Sequence, residues 1–221
     1  MSEIAENIQR ILHNLQGKAK LVAVSKTKPI EAIQEAYDAG QRAFGENYVQ
    51  ELIDKQPQLP QDIEWHLIGH VQTNKVKYVA PFVSWIHAVD SEKLLTEINK
   101  QAAKHERVIN CLLQVHIAQE ESKYGIAVSD IKPFCESLQL EQYPYVNIRG
   151  LMGMASFCED FKQITEEFRL LKSLFDDLKA TRFQSKEDFD QISMGMSGDW
   201  PIAVEEGSTI VRIGSAIFGS R

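Results

Sequence analysis

Residues 21–29 are Leu-Val-Ala-Val-Ser-Lys-Thr-Lys-Pro. The four apolar residues at the start indicate a short strand that is buried on both faces, as in a parallel sheet. Lys26 stands where this strand ends, so its amine is expected to lie close to apolar walls, which favour the neutral form. A neutral amine can attack an aldehyde and form a Schiff base, which makes Lys26 a candidate nucleophile. Taken alone, the segment also fits a lysine that only ends a strand and reaches water.

Strand and helix patterns alternate along the rest of the chain. An amphipathic helix, with apolar residues from Ile4 to Leu15, is predicted before the first strand. Alternating strands and helices imply parallel strands joined by right-handed crossovers. Eight such units in this length predict a closed (β/α)8 TIM barrel with an extra N-terminal helix, forming one domain over residues 1–221. The predicted strands are residues 21–25, 42–45, 64–69, 82–89, 108–117, 146–154, 189–194 and 210–217.

Composition limits the classes of function. The formal net charge is −7, with 43% hydrophobic and 25% charged residues, which is typical of a globular protein and argues against nucleic-acid or membrane-surface binding. Cys111, Cys135 and Cys158 are far apart and show neither a disulfide framework nor metal-ligand spacing. No segment has the length of a membrane span or the apolar core of a signal peptide. We therefore expect a cytoplasmic protein without a metal site.

Two loops near the end of the sequence favour a phosphate. Residues 193–198, Ser-Met-Gly-Met-Ser-Gly, follow the seventh predicted strand, and residues 212–215, Arg-Ile-Gly-Ser, lie on the eighth. Each loop alone fits a plain turn, but the loops after strands seven and eight are the usual phosphate site of this barrel. A reactive lysine together with a phosphate site suggests a phosphorylated aldehyde, for which pyridoxal phosphate is the obvious candidate.

Arg212 then acquires a specific role. An arginine against the pyridine nitrogen of this cofactor keeps that nitrogen unprotonated, because two adjacent positive charges repel each other. An unprotonated ring is a weaker electron sink than a ring paired with a carboxylate. Such a site is expected to hold the cofactor without strongly driving carbanion chemistry.

Seven segments, in order along nearly the whole chain, resemble the pyridoxal phosphate homeostasis protein family. The element from His66 to Lys75 is similar to the signature of that family. The segments are LVAVSKTKP (21–29), FGENYVQE (44–51), WHLIGHVQTNK (65–75), EESKYG (120–125), GLMGMA (150–155), SMGMSGDW (193–200) and VRIGSAIFG (211–219).

This resemblance implies a single barrel of the alanine-racemase N-terminal-domain type, with pyridoxal phosphate held as a Schiff base on Lys26. It also implies a carrier or regulator that balances vitamin B6 and amino- and keto-acid pools, without strong catalysis. Apoenzymes that depend on pyridoxal phosphate are possible partners, and a monomer is expected. The remaining site residues that the resemblance implies are Ser193, Ser197, Gly198, Gly214 and Ser215 at the phosphate, Arg212 at the pyridine nitrogen, and Asn47 and Met154 beside the ring.

Two alternatives stay open. The first is an amino-acid racemase, which needs an acid or base on each face of the substrate. In alanine racemases the second group is a tyrosine of a separate domain, which is not expected here because the sequence ends at Arg221, just after the eighth predicted strand. Residues that could replace it, although each is more simply a packing or hydrogen-bonding residue, are Tyr48, Tyr124, His66, His87 and His116. The second alternative is a barrel that binds another phosphorylated ligand, with Lys26 only as an electrostatic contact.

Overall fold

The computed structural model describes residues 2–120 and 124–219, so three residues of the EESKYG segment, 121–123, lie outside the described residues. The strands are β1 (Lys20–Val24), β2 (Ala43–Glu46), β3 (Glu64–Leu67), β4 (Trp85–Val89), β5 (Ile109–His116), β6 (Ile126–Ala127), β7 (Val146–Gly153), β8 (Gln191–Ser193) and β9 (Ile210–Ile213). The α-helices are α1 (Glu3–Leu15), α2 (Ile30–Asp38), α3 (Val49–Lys55), α4 (Val76–Val79), α5 (Glu92–Ala103), α6 (Ile131–Ser137), α7 (Phe161–Ala180), α8 (Trp200–Glu205) and α9 (Ser215–Phe218).

Eight parallel strands close into a barrel, as predicted. Their order is β4-β3-β2-β1-β9-β8-β7-β5, and the pairing of β4 with β5 closes the circle. The two-residue strand β6 pairs with the C-terminal end of β5, where Val115 is opposite Ile126 and His116 is opposite Ala127. The predicted sixth, seventh and eighth strands are therefore β7, β8 and β9.

Burial on two faces explains why the strands are continuous apolar runs. In β1, Leu21 and Ala23 belong to the large core between the barrel and its surrounding helices. Val22 points the other way, because successive side chains of a strand alternate between the two faces. It packs in the barrel interior with Ala43, Trp85, Ala88, Leu112, Met152 and Ile210.

The predicted N-terminal helix is present as α1. Ser2 caps it, since its hydroxyl accepts a hydrogen bond from the Ala5 N–H at 3.3 Å. Ile8, Ile11 and other apolar residues of the helix are buried in the outer core. The Asn7 amide donates to the Ile217 carbonyl at 3.0 Å, which ties α1 to α9.

The prediction that the last strand runs from residue 210 to residue 217 is wrong beyond Ile213. The Ser197 hydroxyl accepts hydrogen bonds from the N–H groups of Gly214, at 3.2 Å, and Ala216, at 3.4 Å. These bonds turn the chain into the single helical turn α9, in which Ile217 is buried against the core as it would be in a strand.

The predicted fourth strand likewise begins three residues too early. The N–H groups of Phe82 and Val83 both donate to the Val79 carbonyl, so residues 82–84 extend the turn that ends α4. The strand starts only at Trp85.

Within residues 2–120 and 124–219, no helix combines the length and the apolar character that crossing a membrane requires. The same described part of the chain holds no cluster of three or more histidine, cysteine, aspartate or glutamate side chains suited to a metal ion.

Candidate functional site

A cavity of about 940 Å³ opens where the carboxyl ends of the barrel strands meet. This is the end of a (β/α)8 barrel at which active sites are built. The structure brings eight of the nine predicted site residues together around it, and these are Lys26, Asn47, Met154, Ser197, Gly198, Arg212, Gly214 and Ser215. Ser193 is the exception.

The backbone on both sides of Lys26 is anchored to α3. The Lys55 ammonium group donates to the Ser25 carbonyl at 2.8 Å, and the Thr27 N–H donates to Glu51 Oε1 at 2.5 Å. Thr27 has a φ of 63°, a left-handed conformation that β-branched residues rarely adopt. Lys55 also bonds Glu51 at 2.6 Å, so one ion pair fixes the chain before and after Lys26.

A buried carboxylate completes this support. Glu46, at the end of β2, accepts hydrogen bonds from the Ser25 hydroxyl at 2.6 Å and from Lys55 at 2.8 Å. Burial raises the pKa of Glu46, and the hydrogen bonds from Lys55 and Ser25 only partly oppose this rise. The carboxylate therefore depends on Lys55 for its charge compensation, and the two side chains hold β2 against the end of β1.

The loops after β8 and β9 converge on one point. The N–H groups of Gly214 and Ala216 both point at the Ser197 hydroxyl. Gly195 has a φ of 91°, and a Cβ atom there would lie 2.6 Å from the Ala203 Cβ, so the tight turn requires glycine. At Gly198 no heavy atom lies within 4 Å of the position of a Cβ, which leaves the cavity side of the loop open. Backbone N–H groups and a hydroxyl at such a loop suit an anion.

Arg212 lies at the base of the cavity and is 4% exposed. Its Nη1 donates to the Ser193 hydroxyl at 2.5 Å and its Nη2 donates to the Gly153 carbonyl at 3.1 Å. Burial lowers the pKa of Arg212 to about 10, so the guanidinium is still a cation at neutral pH.

Ser193 does not reach the cavity. It is fully buried inside the barrel beneath Arg212, and its hydroxyl is 3.0 Å from His87 Nδ1. The prediction placed Ser193 with the phosphate loop, but Ser193 is the last residue of β8 and its side chain points into the barrel. The loop that lines the cavity begins only at Met196.

Below Ser193, polar side chains continue to the opposite end of the barrel. His87 Nε2 lies 2.8 Å from His66 Nδ1, and His66 Nε2 lies 3.2 Å from Glu64 Oε1, a contact too oblique for a regular hydrogen bond. Glu64 also accepts from Trp85 Nε1 at 2.6 Å and from Lys20 Nζ at 2.5 Å. Burial alone would raise the pKa of Glu64, but His66 and Lys20 together lower it to about 2.

Comparison with known proteins identifies the family. A family model described as the alanine racemase N-terminal domain matches residues 1–221. A pyridoxal phosphate homeostasis protein of Pasteurella multocida (strain Pm70) is 39% identical over 229 residues, which cover 100% of this chain and 96% of the relative. The chain belongs to the pyridoxal phosphate homeostasis protein family.

Solved structures of similar proteins include PipY of Synechococcus elongatus PCC7942. Without pyridoxal phosphate, PipY has a TM-score of 0.91 and 38% identity, covering 98% of this chain and 100% of that chain. With pyridoxal phosphate bound, the values are 0.88 and 37% at the same coverage. An alanine racemase of Streptomyces lavendulae, at 15% identity and a TM-score of 0.75, covers 99% of this chain and 57% of that chain, and this likeness shows the shared barrel fold alone.

In this member of the homeostasis family, an aromatic rim surrounds the cavity. The rim is Tyr48, Tyr124, Phe157 and Phe161, which all line the cavity and are all exposed. Tyr124 stacks on His70 with ring centroids 4.4 Å apart. The sequence suggested Tyr48 and Tyr124 only as substitute bases and did not reveal the rim, because the exposure of a loop aromatic depends on tertiary contacts.

Lys28 is a second lysine of the cavity that the sequence analysis did not single out. Its Nζ donates to the carbonyls of Phe218 and Gly219, both at 3.0 Å. Lys28 therefore fastens the end of α9 beside the loop that carries Gly214. The repetition of lysine in Ser-Lys-Thr-Lys was the one available signal.

Acid is expected to destabilise the protein from about pH 6.5 downward. Burial lowers the pKa of His66 and of His87, so each ring takes up its proton at a lower pH in the folded protein than in the unfolded chain. The free energy of unfolding therefore falls as the pH drops below the unfolded value, by up to about 1.4 kcal/mol per pH unit for each ring. Urea unfolding between about pH 7.5 and about pH 5.5 measures this slope.

Two variants show which histidine causes the pH dependence of the free energy of unfolding. His87→Gln removes one buried titrating ring and is expected to reduce the slope by roughly half. His13→Gln, on the exposed side of α1, is the matched control and should leave the slope unchanged. An equal slope in His87→Gln and the wild-type protein would show that folding does not change the proton uptake of His87, which contradicts the prediction.

Proposed function

We propose that this protein binds pyridoxal phosphate in the cavity and carries or regulates it, with the aldehyde held as a Schiff base on Lys26. The observation that carries the proposal is the meeting of three different groups in one cavity. These are an amine on an anchored backbone, an anion cradle at Ser197 and Gly214, and a buried cation at Arg212. The names of the relatives and the pyridoxal phosphate bound to PipY support the same ligand.

The residues of the cavity fit this group by their chemistry. The Ser197 hydroxyl hydrogen, the Ser215 N–H and the open loop at Gly198 would receive the phosphate, while Gly214, whose N–H donates to Ser197 Oγ at 3.2 Å, would hold that hydroxyl beside it. Arg212 would face the pyridine nitrogen, and Asn47 and Met154 would lie beside the ring. Ser193 belongs to the support of Arg212 in this proposal, since its hydroxyl is already engaged inside the barrel.

We further propose that the protein is not an efficient enzyme. Bound pyridoxal phosphate supplies an electron-withdrawing ring, whose strength depends on protonation of the pyridine nitrogen. Arg212 keeps a positive charge at that position and disfavours a second one. Lys26 can exchange the aldehyde with another amine, which suits transfer of the cofactor to a dependent apoenzyme.

Weak racemase activity is the second candidate, because a specific arrangement favours it. Tyr48 and Tyr124 line the same cavity as Lys26, so a phenol and an amine could act on one substrate. Incubation of the loaded protein with L-alanine in deuterated water tests this activity. Formation of deuterated D-alanine over many turnovers would support a racemase, and the absence of this product supports the carrier.

The proposal also covers the domain organisation, the oligomeric state and the location of the protein. We place residues 1–221 in a single pyridoxal phosphate-binding domain, supported by the sheet that joins the nine strands of residues 2–120 and 124–219. A monomer in the cytoplasm is proposed from the sequence features described above.

The test of the proposed function uses the wild-type protein. We expect a visible absorbance band after loading with pyridoxal phosphate, loss of this band on borohydride treatment, and a pyridoxyl mass on the peptide that contains Lys26. A protein that takes up no pyridoxal phosphate would contradict the proposal. Ligand binding that inorganic phosphate inhibits by competition, without a pyridoxyl mass on the peptide that contains Lys26, would favour a barrel for another phosphorylated compound.

A further inference from the structure

A row of neighbouring polar side chains crosses the barrel interior, which is otherwise apolar. It begins at Arg212 in the cavity, passes through Ser193, His87 and His66, and ends at Glu64 near the opposite mouth. Ser193, His87 and His66 are all fully buried. Burying polar groups costs free energy unless each finds a hydrogen-bond partner. The hydrogen bonds of this row therefore have to be assigned together.

The chemistry of its ends fixes the direction of the hydrogen bonds. A guanidinium has only donors, so the Ser193 oxygen accepts from Arg212. The Ser193 hydrogen then needs an acceptor, which His87 Nδ1 supplies at 3.0 Å. A neutral imidazole with an accepting Nδ1 carries its hydrogen on Nε2.

The same logic continues toward the far end. His87 Nε2–H donates to His66 Nδ1, so His66 carries its own hydrogen on Nε2, facing Glu64. Glu64 accepts from Lys20 and Trp85, as an ionised carboxylate does. With both rings neutral, each buried group from Arg212 to His66 Nδ1 has a partner, and the His66 Nε2–H faces the Glu64 carboxylate at 3.2 Å without a regular hydrogen bond.

Hydrogen bonds that run in the opposite direction, from His66 toward Ser193, do not satisfy the row of polar groups. That direction would aim a lone pair of His66 Nε2 at Glu64, whose two oxygens already accept from Lys20 and Trp85 as an ionised carboxylate does. Both Arg212 and His87 would then donate to Ser193, whose own hydrogen would need a further acceptor in a fully buried position.

We propose that His87, His66 and Glu64 are positioning residues for Arg212, which act through a one-way hydrogen-bond relay inside the barrel. The relay holds Ser193 as an acceptor for Nη1, while the Gly153 carbonyl holds Nη2, so the guanidinium plane is fixed from two sides. The face that Arg212 presents to the cavity is thereby set by a carboxylate at the other end of the fold. The proposal rests on the proposed function for the role of that face toward the cofactor ring.

The first test uses the protein without added cofactor and ¹⁵N NMR of its histidine and arginine side chains. We expect both buried histidines to be neutral Nε2–H tautomers at pH 7, and the Arg212 guanidinium hydrogens to give separate signals because rotation is slow. A buried imidazolium, or an Nδ1–H tautomer at either ring, would overturn the relay direction.

The second test compares His87→Leu with His87→Gln. Leucine removes both hydrogen bonds, whereas the glutamine amide keeps one acceptor and one donor. In His87→Leu we expect averaged Arg212 signals, a changed absorbance band of the bound cofactor, and a Kd for pyridoxal phosphate that is raised about tenfold, or about 1.4 kcal/mol. His87→Gln should stay close to the wild type in all three.

Leu113→Val is the matched control, since Leu113 is buried on β5 in the outer core, away from the relay. It should leave the Arg212 signals and the absorbance band unchanged. Wild-type behaviour of His87→Leu in Arg212 signals, absorbance and Kd would overturn the proposal. If His87→Leu fails to fold, the wild-type tautomers and the His87→Gln spectra decide. If the wild-type protein binds no pyridoxal phosphate, this contradicts the proposed function and leaves the relay to the NMR measurements, which need no cofactor.

Discussion

Lys26→Ala is expected to abolish the borohydride-stable pyridoxyl adduct and the visible band of the loaded protein. The side chain supplies the only atom in this proposal that bonds covalently to the cofactor, and alanine leaves the anchored backbone of Ser25 and Thr27 in place. The phosphate cradle at Ser197 and Gly214 remains, so pyridoxal phosphate should still bind without a covalent bond, at least tenfold more weakly. Intact-protein mass spectrometry after borohydride measures the adduct, and equilibrium dialysis measures the residual binding.

Lys28→Ala is the matched control for this prediction. Lys28 lies two residues further on, lines the same cavity, and directs its amine to the carbonyls of Phe218 and Gly219. This variant should keep a full adduct on Lys26. An adduct that persists in Lys26→Ala and disappears in Lys28→Ala would move the Schiff base to the second lysine.

The barrel was predictable because its strands are buried on both faces. A run such as Leu21–Val24 has no polar side in any packing, and eight such runs separated by helical patterns leave few arrangements. The same property explains the error after Ile213. Ala216, Ile217 and Phe218 are apolar in a strand or in a helix, and the hydroxyl of Ser197, remote in sequence, decides between them.

The position of a residue at the cavity was predictable where the residue follows the end of a strand, and less so within strands. Lys26, Asn47 and Gly214 each come just after a strand, and strand ends of a parallel barrel share one mouth. Ser193 and Ser197 are both near the end of β8, but only the structure shows that the first points into the barrel and the second toward the cavity.

The relay left a signal in the sequence that periodicity could have exposed. Glu64 and His66 are two residues apart, so they lie on the same face of β3. Polar residues at this spacing inside apolar strands, together with His87 and Arg212 on other strands, indicate a polar path through the interior. The partners along that path depend on the barrel register, which the sequence does not contain.

Arg212→Glu is expected to change the absorbance band of the bound cofactor and to allow slow transamination of an added amino acid. A carboxylate beside the pyridine nitrogen favours its protonated form, whereas the cation of Arg212 opposes it. Conversion of the loaded protein to pyridoxamine phosphate by excess L-alanine, followed by chromatography of the released cofactor, measures the gain against the wild type. We expect a rise in rate of at least tenfold, since even a change of about 1.4 kcal/mol in the barrier gives this factor.

The same substitution carries a structural cost that has to be separated from the electronic effect. Glutamate cannot donate to Ser193 or to the Gly153 carbonyl, and these losses at a buried site are expected to lower the free energy of unfolding by roughly 2–4 kcal/mol. Arg212→Gln loses the cation as well but keeps an amide donor and adds no carboxylate. Transamination in Arg212→Glu and not in Arg212→Gln would therefore assign the gain to the carboxylate, because both variants disturb the packing. An absorbance band and a rate that are unchanged in both variants would mean that Arg212 does not touch the ring, and the restraint on catalysis would have to come from another part of the cavity.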